Sequence, residues 1–192
     1  MAETSHSLLM RAGAGDESAW QRFVALYQPM IRGWLVRFSI HRQEVDDLTQ
    51  DVLAVMVREL RNFTPSGRCG AFRSWLRTIT VNRAREFWRA GKGRARAAGG
   101  SMLEMIEQLE DPVSALSAEW DAEHDAHVLR QLLILMEQEF EEKTVRAFRR
   151  LVLDERRAAE VAAELGMSVA AIYAAKSRVL QRLRQEAKGL LD

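Results

Sequence analysis

The chain has 192 residues, of which 47% are hydrophobic and 29% charged, a balance that predicts a soluble globular protein. No apolar run approaches the roughly 20 residues of a membrane helix. The N-terminus has no charged start followed by a long apolar core, so we expect neither a secretory signal nor membrane insertion. The single cysteine, Cys69, excludes an intrachain disulfide and is typical of a reducing cytosol. We therefore predict a cytoplasmic protein.

The net charge of +1 hides a strong asymmetry along the chain. Residues 61–96 hold ten Lys or Arg against one acid, whereas residues 103–125 hold eight acids and no Lys or Arg. Residues 142–188 are basic again, with eleven basic residues against six acidic ones. Basic blocks of this density suggest nucleic acid, although solvated surface is the alternative.

Apolar residues recur at helical spacing in the first half of the chain and predict three helices. Asp16 is placed to cap the first of them, and Pro29 should kink or split it. The pattern stops at residues 64–70, which hold a proline and two glycines and predict a loop. The predicted helices cover residues 16–39, 42–62 and 71–89.

The middle of the chain predicts a boundary between two domains. Residues 91–100 hold four glycines and three basic residues, a composition typical of a flexible linker, and the acidic stretch follows. Helical periodicity returns from about Val113 and continues to the C-terminus. The predicted fold class is all-α, with two helical domains, residues 1–90 and 113–192, joined by a flexible acidic linker, residues 91–112.

Residues 158–186 contain the clearest local pattern, a short helix, a glycine turn and a second helix. Gly166 can supply the turn and Ser168 can cap the second helix. This is the helix-turn-helix layout, whose second helix enters the DNA major groove. An ordinary helical hairpin is the alternative. The outward face of the second helix holds small and polar residues that suit contact with bases or phosphates, and Lys176 would extend toward a phosphate. These residues are Ala170, Tyr173, Ala174, Ser177 and Gln181, with Arg178 and Arg184 beside them.

The helix over residues 71–89 has a second, polar face with Thr78, Asn82, Arg85 and Arg89 at helical spacing. An aromatic, an amide and arginines in one stripe suit single-stranded nucleic acid, because aromatics stack on bases and arginines neutralise phosphates. Trp75 extends the stripe by one turn, although we favour a place in the core for it. The adjacent loop, with Asn62, Phe63 and Ser66, is a candidate holder for an unstacked base.

The order of these motifs resembles the bacterial RNA polymerase sigma factors of the extracytoplasmic-function (ECF) type. DDLTQDVL, a loop, FRSWLRTITVNRAREFWR, a linker and the helix-turn-helix follow one another over about residues 8–186. The resemblance implies that the acidic helix docks on the clamp helices of the polymerase's largest subunit through Asp47, Gln50 and Asp51. Asp51 stands where Glu is more usual in the family, so its shorter side chain should weaken one contact.

The resemblance also implies two promoter contacts. Asn82 and the loop around Phe63 would receive flipped bases of the −10 element, with Arg85 and Arg89 on the nearby backbone. On the second domain, the −35 element would face Tyr173, Lys176, Ser177 and Arg178. The acidic linker resembles the family segment that enters the RNA channel of the polymerase, with a solubilising tether as the alternative. Its acidic residues are Glu104, Glu107, Glu110 and Asp111.

Other function classes explain less of the sequence. A stand-alone helix-turn-helix regulator would leave DDLTQDVL unexplained. The EHDAH stretch places His124 and His127 three residues apart, but no further histidine motif follows and Cys69 has no partner, so we predict no metal site. Without a nucleotide-binding loop or a nucleophile motif, we expect neither a cofactor nor enzymatic activity. The family's usual regulator is an anti-sigma factor, which nothing in this sequence shows.

Overall fold

The computed structural model describes residues 7–38, 40, 42–63, 70–90 and 101–191. Within these ranges all regular structure is helical, which confirms the all-α prediction. No single helix described is long and apolar enough to cross a membrane. One bent pair of helices, Ala158–Leu165 and Val169–Ala187, meets that test when the two are taken together, by length and composition alone. The helices are α1 Leu8–Gly13, α2 Glu17–Arg37, α3 Arg42–Leu60, α4 Ala71–Ala90, α5 Ser101–Glu110, α6 Ala115–Glu139, α7 Glu142–Phe148 with a π-helical turn Arg149–Leu153, α8 Ala158–Leu165 and α9 Val169–Ala187.

Helix α2 begins where its cap was predicted. The Asp16 carboxylate accepts a hydrogen bond from the Ala19 backbone N–H at 3.0 Å and pairs with Arg11 at 2.8 Å. The helix then continues through Pro29 to Arg37, so the proline does not split it. Buried residues on both sides of the proline, Tyr27 and Ile31 among them, hold the helix against the rest of the core.

The core of the first half lies between α2, α3 and α4, whose inward faces agree with the predicted periodicity. An aromatic group made of Phe23, Tyr27 and Phe72 joins α2 to α4, with ring centroids 4.8–5.7 Å apart. The same buried cluster continues into α6, where Trp120 packs on Trp34 of α2 at 5.0 Å. The beginning of the predicted second domain thus packs directly on the first.

The prediction of a flexible linker is corrected for residues 101–110, which form helix α5. Ile106 and Leu109 are fully buried on its inner side, and α5 packs against α4 and α6. Ser114 then caps α6 and its hydroxyl donates to the Gln108 carbonyl, which ties the two helices together. The burial of these apolar side chains therefore fixes in place a segment that we had predicted to be a flexible linker. The glycine-rich part of the predicted linker, residues 91–100, lies outside the described residues.

Arginines of the first half pair with acids of α6. Arg77 is buried and binds Asp121 at 3.0 Å, and Arg73 binds Asp125 at 2.8 Å. Arg37 stacks over Trp34 at 4.3 Å and reaches Glu119 and Glu123. Part of the basic block and part of the acidic block are therefore each other's counter-ions within the folded chain.

The predicted caps of the C-terminal pair of helices are confirmed. Gly166 has φ 61° and ψ 41°, a left-handed conformation that favours glycine, and it ends α8. Ser168 accepts a hydrogen bond from the Ala171 backbone N–H at 3.1 Å and starts α9. Apolar side chains pack α8 against α9 and α7, namely Ala147, Ala158, Val161, Ala162, Leu165, Ile172 and Ala175.

Candidate polymerase and nucleic-acid interfaces

The acidic face of α3 is separated cleanly from the core. Val45, Leu48 and Val52 are buried on the inner side of the helix, whereas Asp47 and Asp51 are exposed. Gln50, also exposed, completes the predicted polymerase-binding set on the same outward face. The helical period therefore places the three predicted contacts together on one surface.

The aspartates of this helix differ in their partners. Asp46 accepts a hydrogen bond from Arg32 of α2 at 2.7 Å, so its charge is balanced within the chain. Asp47 and Asp51 make no ion pair with any residue that the structure describes. Val57, two turns after Gln50 at the edge of this face, is 43% exposed. Unpaired carboxylates beside exposed apolar surface suit an interface with a basic protein partner.

The polar face of α4 is only partly open. Thr78, Asn82 and Arg89 are exposed, and the Asn82 amide makes no hydrogen bond to other described residues. The Thr78 hydroxyl donates to the Ser74 carbonyl at 2.9 Å and is satisfied within the helix. Asn82 is thus the uncommitted hydrogen-bonding group at the centre of this face.

Arg85 has a partner that the sequence did not indicate. Its guanidinium binds both carboxylate oxygens of Glu110 on α5, at 3.3 and 2.5 Å, and its side chain is only 21% exposed. The bond to Glu110 raises the pKa of Arg85, and the same bond lowers the pKa of the Glu110 carboxyl. The charge block alone gave no signal for this pairing, because Glu110 lies within the predicted flexible linker.

Phe63 and Trp75 form one half-buried aromatic group with Phe72. The Phe63 ring lies 5.0 Å from Trp75 and 5.7 Å from Phe72, which is in the core. Our preference for a core position of Trp75 is confirmed in part, since its ring packs on the core and keeps some exposure. A cavity of about 290 Å³ adjoins Phe63 between α1 and the end of α3. Ser66 lies outside the described residues.

The outward face of α9 carries the residues predicted for duplex DNA. Tyr173 is 52% exposed, Ser177 and Arg178 are also exposed, and Lys176 is half-buried beside them. Val169, in the first turn of the same helix, is also exposed, at 43%, although its sequence position alone did not single it out. The predicted helix-turn-helix offered a signal for it, because in that motif the first turn of the second helix contacts base edges.

Comparison with known families identifies the N-terminal half of this arrangement. Residues 23–94 match the family model of sigma-70 region 2. That range contains both the acidic face of α3 and the polar face of α4. The chain therefore contains a segment similar to sigma-70 region 2, which we call region 2 below. The residues predicted for the polymerase and for the −10 element lie inside region 2, and those on α9 lie outside it.

Two relatives support the same assignment. The chain is 35% identical over 83 residues to the RNA polymerase sigma-H factor of Pseudomonas aeruginosa, covering 43% of this chain and 42% of that one. It is 32% identical over 89 residues to the ECF RNA polymerase sigma-E factor of Haemophilus influenzae, covering 45% of each chain. The chain thus matches less than half the length of these relatives. Over that part, the resemblance to ECF sigma factors is confirmed.

One solved structure aligns over most of the chain. It is that of CnrH in complex with the cytosolic domain of CnrY, and the alignment covers 92% of both chains at 21% identity, with a TM-score of 0.39. The similarity is too distant to support a conclusion about this chain.

The two histidines next to region 2 have structural partners. His124 is buried between α6 and α2, where its Nδ1–H donates to Asp125 at 2.9 Å and its Nε2 accepts from the Tyr27 hydroxyl at 3.3 Å. His127 donates from Nε2 to the Leu26 carbonyl at 2.6 Å. Among the described residues, no group of three or more potential metal ligands comes together. Both rings therefore serve the packing of α6 on region 2.

We expect the stability of the protein to fall as the pH drops below the ordinary imidazole pKa. Burial lowers the pKa of His124 below 6.5, and Arg73 adds to this effect while Asp125 and Asp121 oppose it. Below pH 6.5 the His124 imidazole therefore binds a proton in the unfolded chain more readily than in the folded chain, which lowers the free energy of unfolding. Urea titrations between about pH 7.5 and about pH 5.5 measure the loss.

The variant His124→Gln should flatten this pH profile, because its amide can keep a hydrogen bond but cannot titrate. His127→Gln is the matched control and should keep the wild-type decline. Identical profiles for wild type and His124→Gln would show that another group causes the dependence.

Proposed function

We propose that this chain acts as an ECF-type sigma factor, which binds core RNA polymerase, recognises the −10 and −35 promoter elements and assists promoter melting. The observation that carries the proposal is the face of α3 within region 2. Asp47 and Asp51 are exposed there without partners among the described residues, while the neighbouring Asp46 is paired. Two uncompensated carboxylates aligned on a rigid helix suit basic residues on another protein.

For the −10 element, the proposed surface is the polar face of α4 with the aromatic group at its start. Asn82 offers an amide to a base edge, and Arg89 offers a charge to the backbone. Trp75 lies two turns before Asn82 on α4, and its half-buried ring packs on those of Phe63 and Phe72. Stacking of an unpaired base on an aromatic ring contributes about 1–3 kcal/mol, which is energy available for melting.

For the −35 element, the proposed surface is α9. Tyr173, Ser177 and Arg178 are exposed on one side, and Lys176 lies beside them. Capped helices joined by a left-handed glycine support the helix-turn-helix interpretation of α8 and α9. Phosphate contacts by Lys and Arg should make this binding strongly dependent on salt.

Three further parts of the proposal rest on the family resemblance. The protein would work in the cytoplasm, where the polymerase is, and an anti-sigma factor would control it. The acidic segment from Glu104 to Asp111 would enter the RNA channel of the polymerase. In the free protein this segment, up to Glu110, belongs to helix α5, which packs on α4. Entry into the channel therefore requires α5 to move away from α4.

The decisive experiment mixes the purified protein with bacterial core RNA polymerase. We expect co-elution in gel filtration and promoter-dependent run-off transcripts that core polymerase alone does not make. A protein that binds duplex DNA tightly by itself and ignores core polymerase would instead be a stand-alone helix-turn-helix regulator. In that case the carboxylates of α3 are only solvated surface.

In the same assay we expect Asn82→Ala to slow open-complex formation about tenfold, since one base-edge contact contributes about 1–3 kcal/mol. Co-elution with core polymerase should not change, because Asn82 lies on α4 and not on the acidic face of α3. A permanganate footprint of unpaired thymines measures the rate.

Thr78→Ala is the matched control for this variant. Thr78 is exposed one turn before Asn82, but its hydroxyl is already bonded to the Ser74 carbonyl, so its loss should have little effect. Equal rates for Asn82→Ala and wild type would remove Asn82 from the −10 contact.

A further inference from the structure

The acidic helix α5 lies against the α4 helix that carries the proposed single-strand contacts. Ile106 and Leu109 are fully buried and fix one side of α5, and its junction with α6 is closed by Ser114. The helix is thus held in one register relative to α4. At its last residue, that register brings Glu110 opposite Arg85.

Glu110 occupies the hydrogen-bonding groups of Arg85 that a phosphate would use. The guanidinium fork is bound at two nitrogens, one to each carboxylate oxygen. Bidentate binding of this kind is how arginine binds both carboxylates and phosphates, so the two ligands exclude each other. The rest of the face, Asn82 and Arg89, stays exposed.

The pairing is accessible to a competitor. The Glu110 side chain is 53% exposed, so a phosphate can approach it from solvent. In contrast, Arg77 is only 8% exposed where it meets Asp121, a position suited to holding α6 in place. Of these two ion pairs, the Arg85–Glu110 pair is therefore the one in which nucleic acid can replace the carboxylate.

We propose that Glu110 is a built-in competitor for the single-stranded nucleic acid that binds α4. In the free protein it holds Arg85, and a backbone phosphate must displace it before Arg85 can bind. The effect is to weaken binding by the free protein relative to a state in which α5 has left α4. This inference rests on the proposed −10 function of α4.

The test measures binding of fluorescein-labelled single-stranded oligo-dT to the full chain by anisotropy at several salt concentrations. Glu110→Gln should bind about fivefold tighter than wild type, the size expected for release from one exposed ion pair. Its salt dependence should steepen by about 0.7 in log–log slope, the value for one more phosphate contact on a single strand. Thermal melting followed by circular dichroism checks that the variants are folded.

Glu104→Gln is the matched control, since it removes the same charge from an exposed position on the same helix. It should leave binding within about twofold of wild type. Arg85→Ala should weaken binding, and Glu110→Gln should have no further effect in the Arg85→Ala background, because both act through one guanidinium.

Two outcomes separate the inference from the function on which it rests. If Arg85→Ala weakens binding but Glu110→Gln fails to strengthen it, Glu110 orients Arg85 and does not compete, and the inference is overturned while the −10 assignment stands. If Arg85→Ala and Asn82→Ala both bind like wild type, α4 is not the single-strand surface, and both statements fail.

Discussion

Replacing Asp47 and Asp51 together by alanine is expected to weaken binding to core RNA polymerase about 100-fold, equivalent to about 2.7 kcal/mol. Both carboxylates are exposed on the outer face of α3 and have no partner among the described residues. Their removal should therefore leave the fold intact. It should also leave the basic groups of the partner buried without a counter-charge, and truncating one member of a charged interface pair costs about 2–5 kcal/mol. A titration of labelled core polymerase measures the change.

The control for this experiment is Asp46→Ala combined with Glu59→Ala. Both residues are on α3 and the total charge changes equally, but Asp46 is paired with Arg32 and Glu59 with Arg58. We expect this variant to bind core polymerase within about threefold of wild type, as is usual for exposed ion pairs. If the two double variants bind equally well, the acidic face of α3 does not dock on the polymerase.

The largest effect on stability is expected from Trp120→Ala. Trp120 is completely buried and packs on Trp34, so its removal leaves a cavity between α6 and region 2. Truncation of a buried tryptophan costs about 3–5 kcal/mol, a large fraction of the stability of an ordinary domain. Urea unfolding followed by circular dichroism measures the loss.

Val113→Ala is the control for the tryptophan variant, because Val113 is 88% exposed just before α6. It should change the free energy of unfolding by less than about 0.5 kcal/mol. A loss below about 1 kcal/mol for Trp120→Ala would mean that α6 does not pack on region 2 in solution.

Local rules predicted the elements of region 2 and the faces they present. Apolar spacing identified the inner sides of α2, α3 and α4, and the same helical period assigned Asp47 and Asp51 to an outer face. The caps at Asp16 and Ser168 followed from side-chain chemistry within four residues. These features depend on neighbours along the chain, which a single sequence contains.

Contacts between distant segments were not predictable in the same way. Residues 101–110 resembled a linker because they follow the glycine-rich stretch and all their charged residues are acidic. The surface that buries Ile106 and Leu109 is formed by other helices. The basic block was interpreted as a nucleic-acid surface, with solvated surface as the alternative, yet Arg73, Arg77 and Arg85 bind acids of α5 and α6. The pairing of each arginine with a particular acid depends on the three-dimensional packing, which a single sequence does not specify.

The packing of α6 on region 2 has a consequence for fragments and for synthesis. Trp34 and Tyr27 belong to the first half of the chain, but Trp120 and His124 cover them from the second. A protein truncated at residue 94, or a nascent chain of that length, would present these rings to water. An exposed aromatic patch of this kind favours self-association. An isolated region 2 should therefore be harder to keep in solution than the full chain, because α6 is the element that covers its aromatic surface.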